Sequence, residues 1–407
     1  MATTAEATAA APARRHLSRA GLLSRAFVGV LIAAAVLLMP LGLADFQANR
    51  VTEAVIFAVI GLSMNVLTGH AGQISLGHQA FVGIGAFASG YVVSEMGLNF
   101  VAAFFVAGLV GAFSAALLGL VALRLKGLYL ALLTLAYGAV AEGTLFNIRA
   151  LTRGGEGMPA PRPAGFASDR GFLYLCLIVL AVVLLIDWRL VKSKAGRAIV
   201  AIRHDERVAA TMGINVTFYK IFAFVLSGFL AGVAGSLFAH WQQVVVAEDF
   251  VLPRALTWVF MTVVGGLGSR AGVVIGSAFF SLFPFLFSRI LSEQAADQLA
   301  TAVPLIGAIL LVLTLTLNPG GIGQQLIPVR RWLAGGPFHT PRRRRRLRPG
   351  EVPQAEAVAA EVTASTLLEE DGEAAGSTLE TESLPAVKDE EPADGGTKSR
   401  AGPRGRR

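Results

Sequence analysis

Charged residues are scarce in this sequence. Asp, Glu, Lys and Arg make up only 15% of its 407 residues, whereas soluble globular domains carry about 25%. Hydrophobic residues reach 54%, and the mean hydropathy is +0.62. A water-soluble surface needs more charge than this, so the composition argues against a cytosolic domain and indicates a membrane protein.

Cysteine is almost absent, and the single residue, Cys176, excludes a disulfide within the chain. Cys176 lies in an apolar run, where we expect a small core or lipid-facing residue. Six scattered histidines and one thiol provide no metal-ligand spacing. The sequence also lacks a nucleophilic triad, paired catalytic acids and a Gly-x-x-x-x-Gly-Lys-Ser/Thr phosphate-binding loop. We therefore expect no enzymatic activity, no metal and no cofactor.

The formal net charge is +8 at pH 7. In a chain with many membrane spans, an excess of Lys and Arg usually marks the cytoplasmic loops, where it also meets anionic lipid. Nucleic-acid binding is the less favoured interpretation of this charge. Membrane lipid is therefore the expected partner of the basic residues, and no nucleic acid is expected.

Long apolar runs dominate the chain. A helix needs roughly 20 predominantly apolar residues to cross a bilayer, with about 17 as the lower limit. Ten segments are candidates, although one of them is short: 26–44, 52–68, 79–95, 99–123, 127–148, 171–190, 220–240, 253–267, 271–290 and 300–317. The sequence thus predicts an all-α polytopic membrane protein with about ten transmembrane helices.

An even number of spans places both termini on one side of the membrane. Basic residues are concentrated on that side, in the tail at 1–25 and in the loop that follows the sixth span. By the positive-inside rule this side is the cytoplasm, and the protein belongs in the cytoplasmic membrane. The transmembrane domain then covers 26–327. The remaining tail, 328–407, combines low hydrophobicity with blocks of like charge, which predicts disorder.

One loop conflicts with this rule. Arg149, Arg153, Arg162 and Arg170 fall in the 149–170 connection, which ten spans place outside the cell. Glycines and prolines in this connection are typical of an ordered surface loop. Two interpretations stay open: the loop lies among lipid head groups, or it contacts a partner protein.

A glycine-rich segment, residues 69–78, separates the second and third predicted spans. Free backbone groups within a bilayer need partners, so such a break must pack against protein or line a wet cavity, as in transporters. His70, Gln73, Ser75 and His78 are candidates for a substrate pathway, or alternatively cap the helix ends and satisfy freed backbone groups. The glycines have structural roles because they allow tight turns and close backbone approach. They are Gly69, Gly72 and Gly77.

A similar glycine-rich break occurs near the other end of the transmembrane domain, at residues 265–276. Both breaks follow a predicted outside-to-inside span and precede an inside-to-outside span. Paired interruptions of this kind occur in transporters with internal repeats. A repeat offset by six spans is therefore one interpretation, and coincidence among 45 glycines is the other.

The cytoplasmic loop at 191–219 is basic but has apolar residues at helical spacing, among them Ile199, Ile202, Ala209 and Met212. Gly196 and Gly213 bracket this pattern as helix boundaries. We expect one or two short amphipathic helices outside the bilayer. They lie in the membrane interface or fill a groove on a soluble partner.

Carboxylates within the apolar runs are few. Glu142 interrupts the fifth span and is a functional candidate, although an interfacial position or a pair with Arg149 is at least as well supported. The sequence Asp187-Trp188-Arg189 ends the sixth span and is typical of an interface belt.

Five stretches of the chain resemble one family. The longest runs from Gly61 to Phe81 with Gly83 and Gly85 after it, and contains Thr68-Gly69-His70-Ala71-Gly72-Gln73-Ile74-Ser75-Leu76-Gly77-His78. The others are 125–131, 196–215, 264–268 and 317–321. In sequence and order, these motifs resemble branched-chain amino acid ABC transporter permeases of the LivM type. The resemblance covers about residues 27–327.

This resemblance implies a non-catalytic importer subunit. ATP would be hydrolysed by two separate cytoplasmic ABC ATPase subunits, with a second, related permease completing a heterodimer. An extracytoplasmic substrate-binding protein would deliver the cargo. The binding protein would carry much of the substrate choice, so this sequence alone does not identify the cargo.

The resemblance also assigns the 191–219 loop to ATPase coupling. Ala209, Ala210 and Gly213 match part of the Glu-Ala-Ala…Gly loop of importer permeases, whereas Arg207 stands where the glutamate would be. The candidate coupling residues are Gly196, Arg197, Arg203, Glu206, Ala209, Ala210 and Gly213.

Two other functions remain possible on the sequence. Permeases for urea and short amides share similar motifs and form the nearest alternative. An ion-coupled secondary transporter would need buried carboxylates or an ion site near mid-bilayer, and the sequence provides few such residues.

Overall fold

The computed structural model describes residues 38–153, 156–288, 305–314, 316–317 and 320–325. The tails predicted at 1–25 and 328–407 lie outside the described residues. So does most of the first predicted span, 26–44, and part of the last, 300–317.

Helices account for the apolar runs in the described part of the chain. They are α1 (Asp45–Met64), α2 (His78–Ser94), α3 (Phe100–Ala122), α4 (Leu128–Gly143), α5 (Asp169–Lys192), α6 (Lys194–His204), α7 (Glu206–Thr211), α8 (Val216–Gln242), α9 (Leu252–Gly265), α10 (Arg270–Ser288), α11 (Leu305–Thr314) and α12 (Gly321–Gln325). A π-helical turn, Asn65–His70, extends α1. The strands β1 (Met158–Pro159) and β2 (Val244–Val245) pair antiparallel, with Met158 opposite Val245.

Five helical stretches are long and apolar enough to cross a membrane: Asp45–His70, Phe100–Ala122, Leu128–Asn147, Asp169–Lys192 and Val216–Gln242. At about 1.5 Å per residue, each reaches the roughly 30 Å of a hydrocarbon core. Shorter helices lie at the other predicted spans for which residues are described. The predicted all-helical membrane architecture is confirmed at this level, and the number of about ten spans stays a prediction.

Polar side chains at three helix starts fix where the long helices begin. Asn99, Ser168 and Asn215 each accept a hydrogen bond from a backbone N–H in the first turn of α3, α5 and α8. Such caps satisfy N–H groups that have no partner within the helix. The helices therefore start at polar residues that flank the apolar runs.

Small residues allow α8 to pack closely against α2 and α3. A Cβ atom added at Gly232 would lie 2.1 Å from the Ala107 carbonyl oxygen, and one at Gly235 would lie 2.0 Å from that of Val82. Only glycine permits this backbone approach, which is typical of helix contacts in membranes. Phe81 of α2 is fully buried and belongs to the core of the bundle.

The loops between the helices gather at two ends of the bundle. At one, here called the β end, β1 pairs with β2 and the Nδ1 atom of His240 lies 2.7 Å from the Pro161 carbonyl oxygen. At the other, here called the α6 end, Arg203 of α6 bonds to Gly69 of the glycine-rich segment, and Arg270 at the start of α10 binds Asp187. The 149–170 loop and the 191–219 loop therefore lie at opposite ends, as the predicted topology requires.

Ion pairs neutralise three of the four arginines of the 149–170 loop. Arg153 lies 2.5 Å from Glu95, Arg162 lies 2.7 Å from Asp169, and Arg170 lies 3.4 Å from Asp45. Two of these acids, Glu95 and Asp45, come from other parts of the chain. The positive charge of this loop is therefore largely compensated at its own end of the bundle, which reduces its conflict with the positive-inside rule.

Two local expectations are corrected by the structure. Gly196 lies in the first turn of a helix and does not begin it, because α6 begins at Lys194 and the Ser193 side chain accepts the Gly196 N–H at 3.0 Å. Glu142 accepts a hydrogen bond from the Leu252 N–H at 3.2 Å, at the start of α9, rather than pairing with Arg149. Both differences arise from helix N-termini, whose free N–H groups attract hydroxyl and carboxylate oxygens.

Candidate functional site

The glycine-rich segment joins α1 to α2 through a change of backbone geometry. The π-helical turn ends at His70, and an irregular stretch follows until α2 begins at His78. The Gln73 N–H bonds back to the Leu67 carbonyl oxygen at 3.0 Å, which holds the stretch against the turn. π-helical turns are rare and frequently mark functional sites.

Its three predicted structural glycines occupy places that side chains would disturb. Gly72 has φ +68°, a conformation that favours glycine. A Cβ at Gly77 would lie 1.7 Å from the Thr134 carbonyl oxygen of α4, and one at Gly69 would lie 2.1 Å from Asn65 Oδ1. The segment is therefore wedged between the π-helical turn and α4.

A buried carboxylate, Asp187 on α5, lies beside this segment. Its side chain is fully buried and accepts a hydrogen bond from Nε2 of His70 at 2.8 Å. Arg270, at the start of α10, donates from Nε to the other carboxylate oxygen. We call these three residues the Asp187 cluster. It joins the glycine-rich segment, α5 and α10 at the α6 end.

The interface-belt expectation was wrong for Asp187. On α5, Asp187 shares the buried face with Val183 and Leu190, whereas Trp188 and Arg189 are exposed. The Lys192 ammonium lies 4.0 Å from the centre of the Trp188 ring, as suits an interfacial aromatic. Helical rotation between neighbouring residues therefore separates a buried acid from the belt beside it.

The two glycine-rich breaks contact each other. The Gly268 N–H donates to Asn65 Oδ1 at 2.7 Å, directly beside the π-helical turn. Within the second break, Gly265 and Gly272 approach closely, because a Cβ at Gly272 would lie 2.0 Å from the Gly265 carbonyl oxygen. The internal repeat stays a prediction, but the breaks form one continuous region.

α6 is bonded directly to the glycine-rich segment. Its buried face contains Ala198, Ile199 and Ile202, which pack toward the bundle. The guanidinium of Arg203 donates to the Gly69 carbonyl oxygen. This hydrogen bond satisfies a carbonyl group near the end of the π-helical turn. A displacement of α6 would therefore pull on the segment.

α7 is fixed to the bundle by Glu206. Its two carboxylate oxygens lie 2.5 Å from Nζ of Lys126 and 2.5 Å from Nζ of Lys220, a buried amine on α8. Burial by itself raises the pKa of Glu206, but hydrogen bonds from these two lysines outweigh it and hold the pKa below its usual range. One carboxylate thus links α7 both to the turn between α3 and α4 and to α8.

Asp205 separates α6 from α7 and caps the second helix. Its carboxylate accepts the Arg207 N–H at 2.7 Å and the Val208 N–H at 3.1 Å. The N–H groups of Val208 and Arg207 lower the pKa of Asp205, because they stabilise its charged form. The 191–219 loop therefore contains two short helices, as expected, joined at a capped corner.

The outer surface of α6, α7 and the start of α8 is apolar and basic. Val208, Met212 and Phe218 are at least half exposed, so Met212 does not belong to the buried face that its spacing suggested. An open groove of about 540 Å³ lies beside them, lined in part by Lys194, Arg197 and Gly213.

The remaining predicted coupling residues divide between the buried and exposed faces. Ala209 is buried against the bundle, and Ala210 is exposed. Gly213 follows α7 with φ +78°, as the end of a helix often requires. Arg197 donates to the Lys192 carbonyl oxygen at 3.0 Å, within the loop itself.

The four predicted pathway residues are all buried, but they have different surroundings. His70 belongs to the Asp187 cluster, and the Gln73 amide lies 3.5 Å from the Ala71 carbonyl oxygen. Nε2 of His78 lies 2.8 Å from the Ser63 hydroxyl. The hydroxyl of Ser75 has no hydrogen-bond partner among the described residues.

Sequence reasoning missed Asn65, Asp187, Gln79 and Arg270 at this site. The available signal was their position, because ionisable or amide side chains inside apolar runs are functional candidates by default. Arg270 lies within the second glycine-rich break, and Asp187 lies one turn inside a span. Their mutual contacts depend on tertiary packing.

The sequence matches a known family model over residues 47–314, described as the permease component of the branched-chain amino acid transport system. The chain is 34% identical over 254 residues to the LivM permease protein of the high-affinity branched-chain amino acid transport system of Salmonella typhimurium. That match covers 56% of this chain and 60% of the relative. The chain therefore spans less than two thirds of this relative's length.

Two further similarities are more distant. The LivH permease protein of the same system in Salmonella typhimurium is 25% identical over 303 residues, covering 67% of this chain and 93% of LivH. The solved structure of PsaBC from Streptococcus pneumoniae aligns with 72% of this chain and 99% of its own, at 17% identity and a TM-score of 0.37. The family match covers more than half of the chain. This protein is therefore a multi-pass membrane protein, and it belongs to the family of permease components of branched-chain amino acid transport systems.

Proposed function

We propose that this chain is the membrane-spanning permease subunit of an ABC importer for branched-chain or related apolar amino acids. In this proposal it has about ten spans, with both termini in the cytoplasm and the α6 end facing inward. Family membership supports the transport role. The basic residues of the 191–219 loop support the orientation.

The observation that carries the proposal is the hydrogen bond from Arg203 to the Gly69 carbonyl oxygen. It connects a helix outside the long apolar stretches to the break between α1 and α2. Through the Asp187 cluster, movement of the glycine-rich segment also involves α5 and α10. Alternating access would arise when a partner displaces α6 and these elements follow.

The force would come from two cytoplasmic ABC ATPase subunits. The exposed apolar residues Val208, Met212 and Phe218, beside Lys194 and Arg197, provide a surface that suits a groove on a soluble protein. The chain itself would hydrolyse no ATP, because its sequence contains no phosphate-binding loop.

A second, related permease and an extracytoplasmic substrate-binding protein complete the proposed assembly. Both LivM and LivH are permease proteins of one high-affinity system in Salmonella typhimurium, which supports a pair of related permeases. Urea or short amides are the alternative cargo. Exchanging only the binding protein, and measuring which solute enters, would separate these cargoes.

Uptake by the assembled transporter tests the coupling role of Arg203. Radiolabelled leucine is supplied to proteoliposomes containing the full chain, second permease, ATPases and binding protein. Arg203→Ala should lower ATP-dependent uptake by about 5- to 150-fold. This factor corresponds to the usual coupling free energy between two sites, about 1–3 kcal/mol. ATP hydrolysis should continue, because the ATPase subunits are unchanged.

Arg124→Ala is the matched control, since Arg124 is an exposed arginine in the turn between α3 and α4. It should leave uptake within about two-fold. Unchanged uptake in Arg203→Ala would contradict the coupling role. Uptake by the chain alone under a proton or sodium gradient would instead favour a secondary transporter.

A further inference from the structure

Buried polar atoms without a hydrogen-bond partner are concentrated around the start of α2. Among the described residues they include Ser75 Oγ, His78 Nδ1 and both amide atoms of Gln79. Gln79 has no solvent exposure. Native proteins rarely bury an amide with neither end satisfied, so each such group needs an explanation.

Some neighbouring polar groups are satisfied, whereas both ends of the Gln79 amide lack a partner among the described residues. The Ser63 hydroxyl donates to the Ile60 carbonyl oxygen at 2.6 Å, so it accepts from Nε2 of His78. That tautomer leaves His78 Nδ1 as a hydrogen-bond acceptor. The Thr134 hydroxyl accepts the Leu76 N–H at 2.9 Å.

Gly138, which has no side chain, is the residue of α4 that lies over the Gln79 amide. A Cβ added at Gly138 would lie 2.4 Å from Gln79 Nε2 and 3.0 Å from the Gly77 Cα atom. The opposite side of α4 is open, because Leu128, Tyr129, Leu132 and Val140 are each more than half exposed. A small displacement of α4 would therefore uncover the amide without breaking a hydrogen bond to it.

We propose that Gln79, with Ser75 and His78, forms a hydrogen-bonding site for a zwitterionic amino acid that passes between the glycine-rich segment and α4. This site is here called the station. The amide N–H₂ and the Ser75 hydroxyl can donate to a carboxylate. The amide oxygen and His78 Nδ1 can accept from an ammonium group. The station is formed by side chains whose polar atoms lack partners in the described part of the chain, and it rests on the proposed import of amino acids.

The first test replaces the amide by an apolar side chain of similar length. Gln79→Met removes the unsatisfied buried atoms, so the thermal unfolding temperature of the assembled transporter should stay equal or rise. Leucine uptake should fall about ten-fold or more, as expected for a lost hydrogen bond to a charged group. If Gln79 had only a structural role, Gln79→Met would instead lower the unfolding temperature and leave leucine uptake unchanged.

Ser281→Ala is the matched control. Ser281 on α10 is also buried with an unpartnered hydroxyl among the described residues, but it lies outside the proposed station. It should leave uptake within about two-fold. Leucine uptake by Gln79→Met within about two-fold of the wild type would overturn the proposal.

A second measurement reports access directly and covers the case in which Gln79→Met fails to assemble. Gln79→Cys is made in a Cys176→Ala background, so that it carries the only thiol of the chain. A small charged methanethiosulfonate should label Gln79→Cys faster during ATP turnover than at rest, and saturating leucine should slow the labelling. Labelling that neither ATP nor leucine changes would overturn the proposal.

These outcomes separate the station from the proposed function. If the wild-type assembly imports no amino acid with ATP, the importer proposal fails whatever the variants do. If the wild type imports leucine and Gln79→Met does so equally well, only the station fails.

Discussion

At the β end of the bundle, the pairs Glu95–Arg153 and Asp45–Arg170 lie at the surface, whereas at the α6 end the Asp187 carboxylate is paired in the interior. Glu95 and Arg153 each keep about two fifths of their side-chain surface exposed. Asp187 is fully buried, and the Arg270 side chain that it binds is 26% exposed. The same types of residue therefore act in different dielectric surroundings.

This difference predicts different mechanical roles. Exposed pairs contribute about 0–1 kcal/mol each and are screened by salt, so the loops at the β end can separate at low cost. Breaking a buried pair costs about 3–5 kcal/mol, because one charge is left without a partner. The elements joined by the Asp187 cluster should therefore move together, and the loops at the β end should not.

The largest effect is expected from Asp187→Ala. It leaves the Arg270 guanidinium without its buried carboxylate and removes the acceptor of His70. The free energy of unfolding should fall by about 3–5 kcal/mol. Thermal and denaturant unfolding in detergent, followed by tryptophan fluorescence, would measure it.

Asp45→Ala is the control at the β end, because the Asp45 side chain is 73% exposed and lies 3.4 Å from Arg170. Its effect should stay below about 1 kcal/mol. Equal effects of the two substitutions would show that burial does not distinguish the ends, and the comparison would fail.

An intermediate effect is expected from Glu206→Gln. The buried Lys220 loses its charged partner, but Glu206 is 18% exposed and water partly replaces it. We expect a loss of about 1–2 kcal/mol, between the values for exposed and buried pairs. Glu248→Gln, an exposed acid at the β end, is the matched control and should change stability by less than about 0.5 kcal/mol.

The same carboxylate makes stability depend on pH. Because the folded-state pKa of Glu206 is held below its ordinary value of 4.5, its contribution is complete above pH 4.5 and is lost as the pH falls through the folded-state pKa. Unfolding measured between about pH 3 and pH 6 should show less acid sensitivity in Glu206→Gln. If Glu206→Gln and the wild type lost the same stability at low pH, this role of Glu206 would be contradicted.

The smallest effect is expected from Glu95→Gln, which removes the partner of Arg153 at the β end. Stability should fall by about 0.2–1 kcal/mol, and the difference from wild type should shrink in about 1 M salt, where the Debye length is about 3 Å. Unfolding at low and high salt would measure it. A larger loss that salt does not reduce would show that this pair is effectively buried.

Much of the helical architecture followed from one-dimensional patterns. Apolar run length predicted the long helices, and polar residues such as Asn99 and Asn215 flank them as caps. The short amphipathic helices of the 191–219 loop also followed from spacing, with Met212 as the exception. These features depend on neighbours within a few residues, which a sequence contains directly.

The site was harder to predict because its contacts join distant residues. His70 and Asp187 are 117 residues apart, and Gly69 and Arg203 are 134 apart. Asp187 was assigned to an interface belt because its neighbours Trp188 and Arg189 fit one. A rotation of about 100° per residue places it on the buried face instead, and only packing reveals which face is buried.

The sequence by itself determined that the chain is a helical membrane protein of this permease family, with a glycine-rich break and short amphipathic helices after the sixth predicted span. Tertiary structure alone decided that these two regions touch, that Asp187 faces inward, and that Gln79 lies beneath Gly138 with no hydrogen-bond partner among the described residues. Composition and periodicity fix which environment a segment prefers. The partner of a buried polar group depends on helices far away in sequence, because only packing brings them within hydrogen-bond distance.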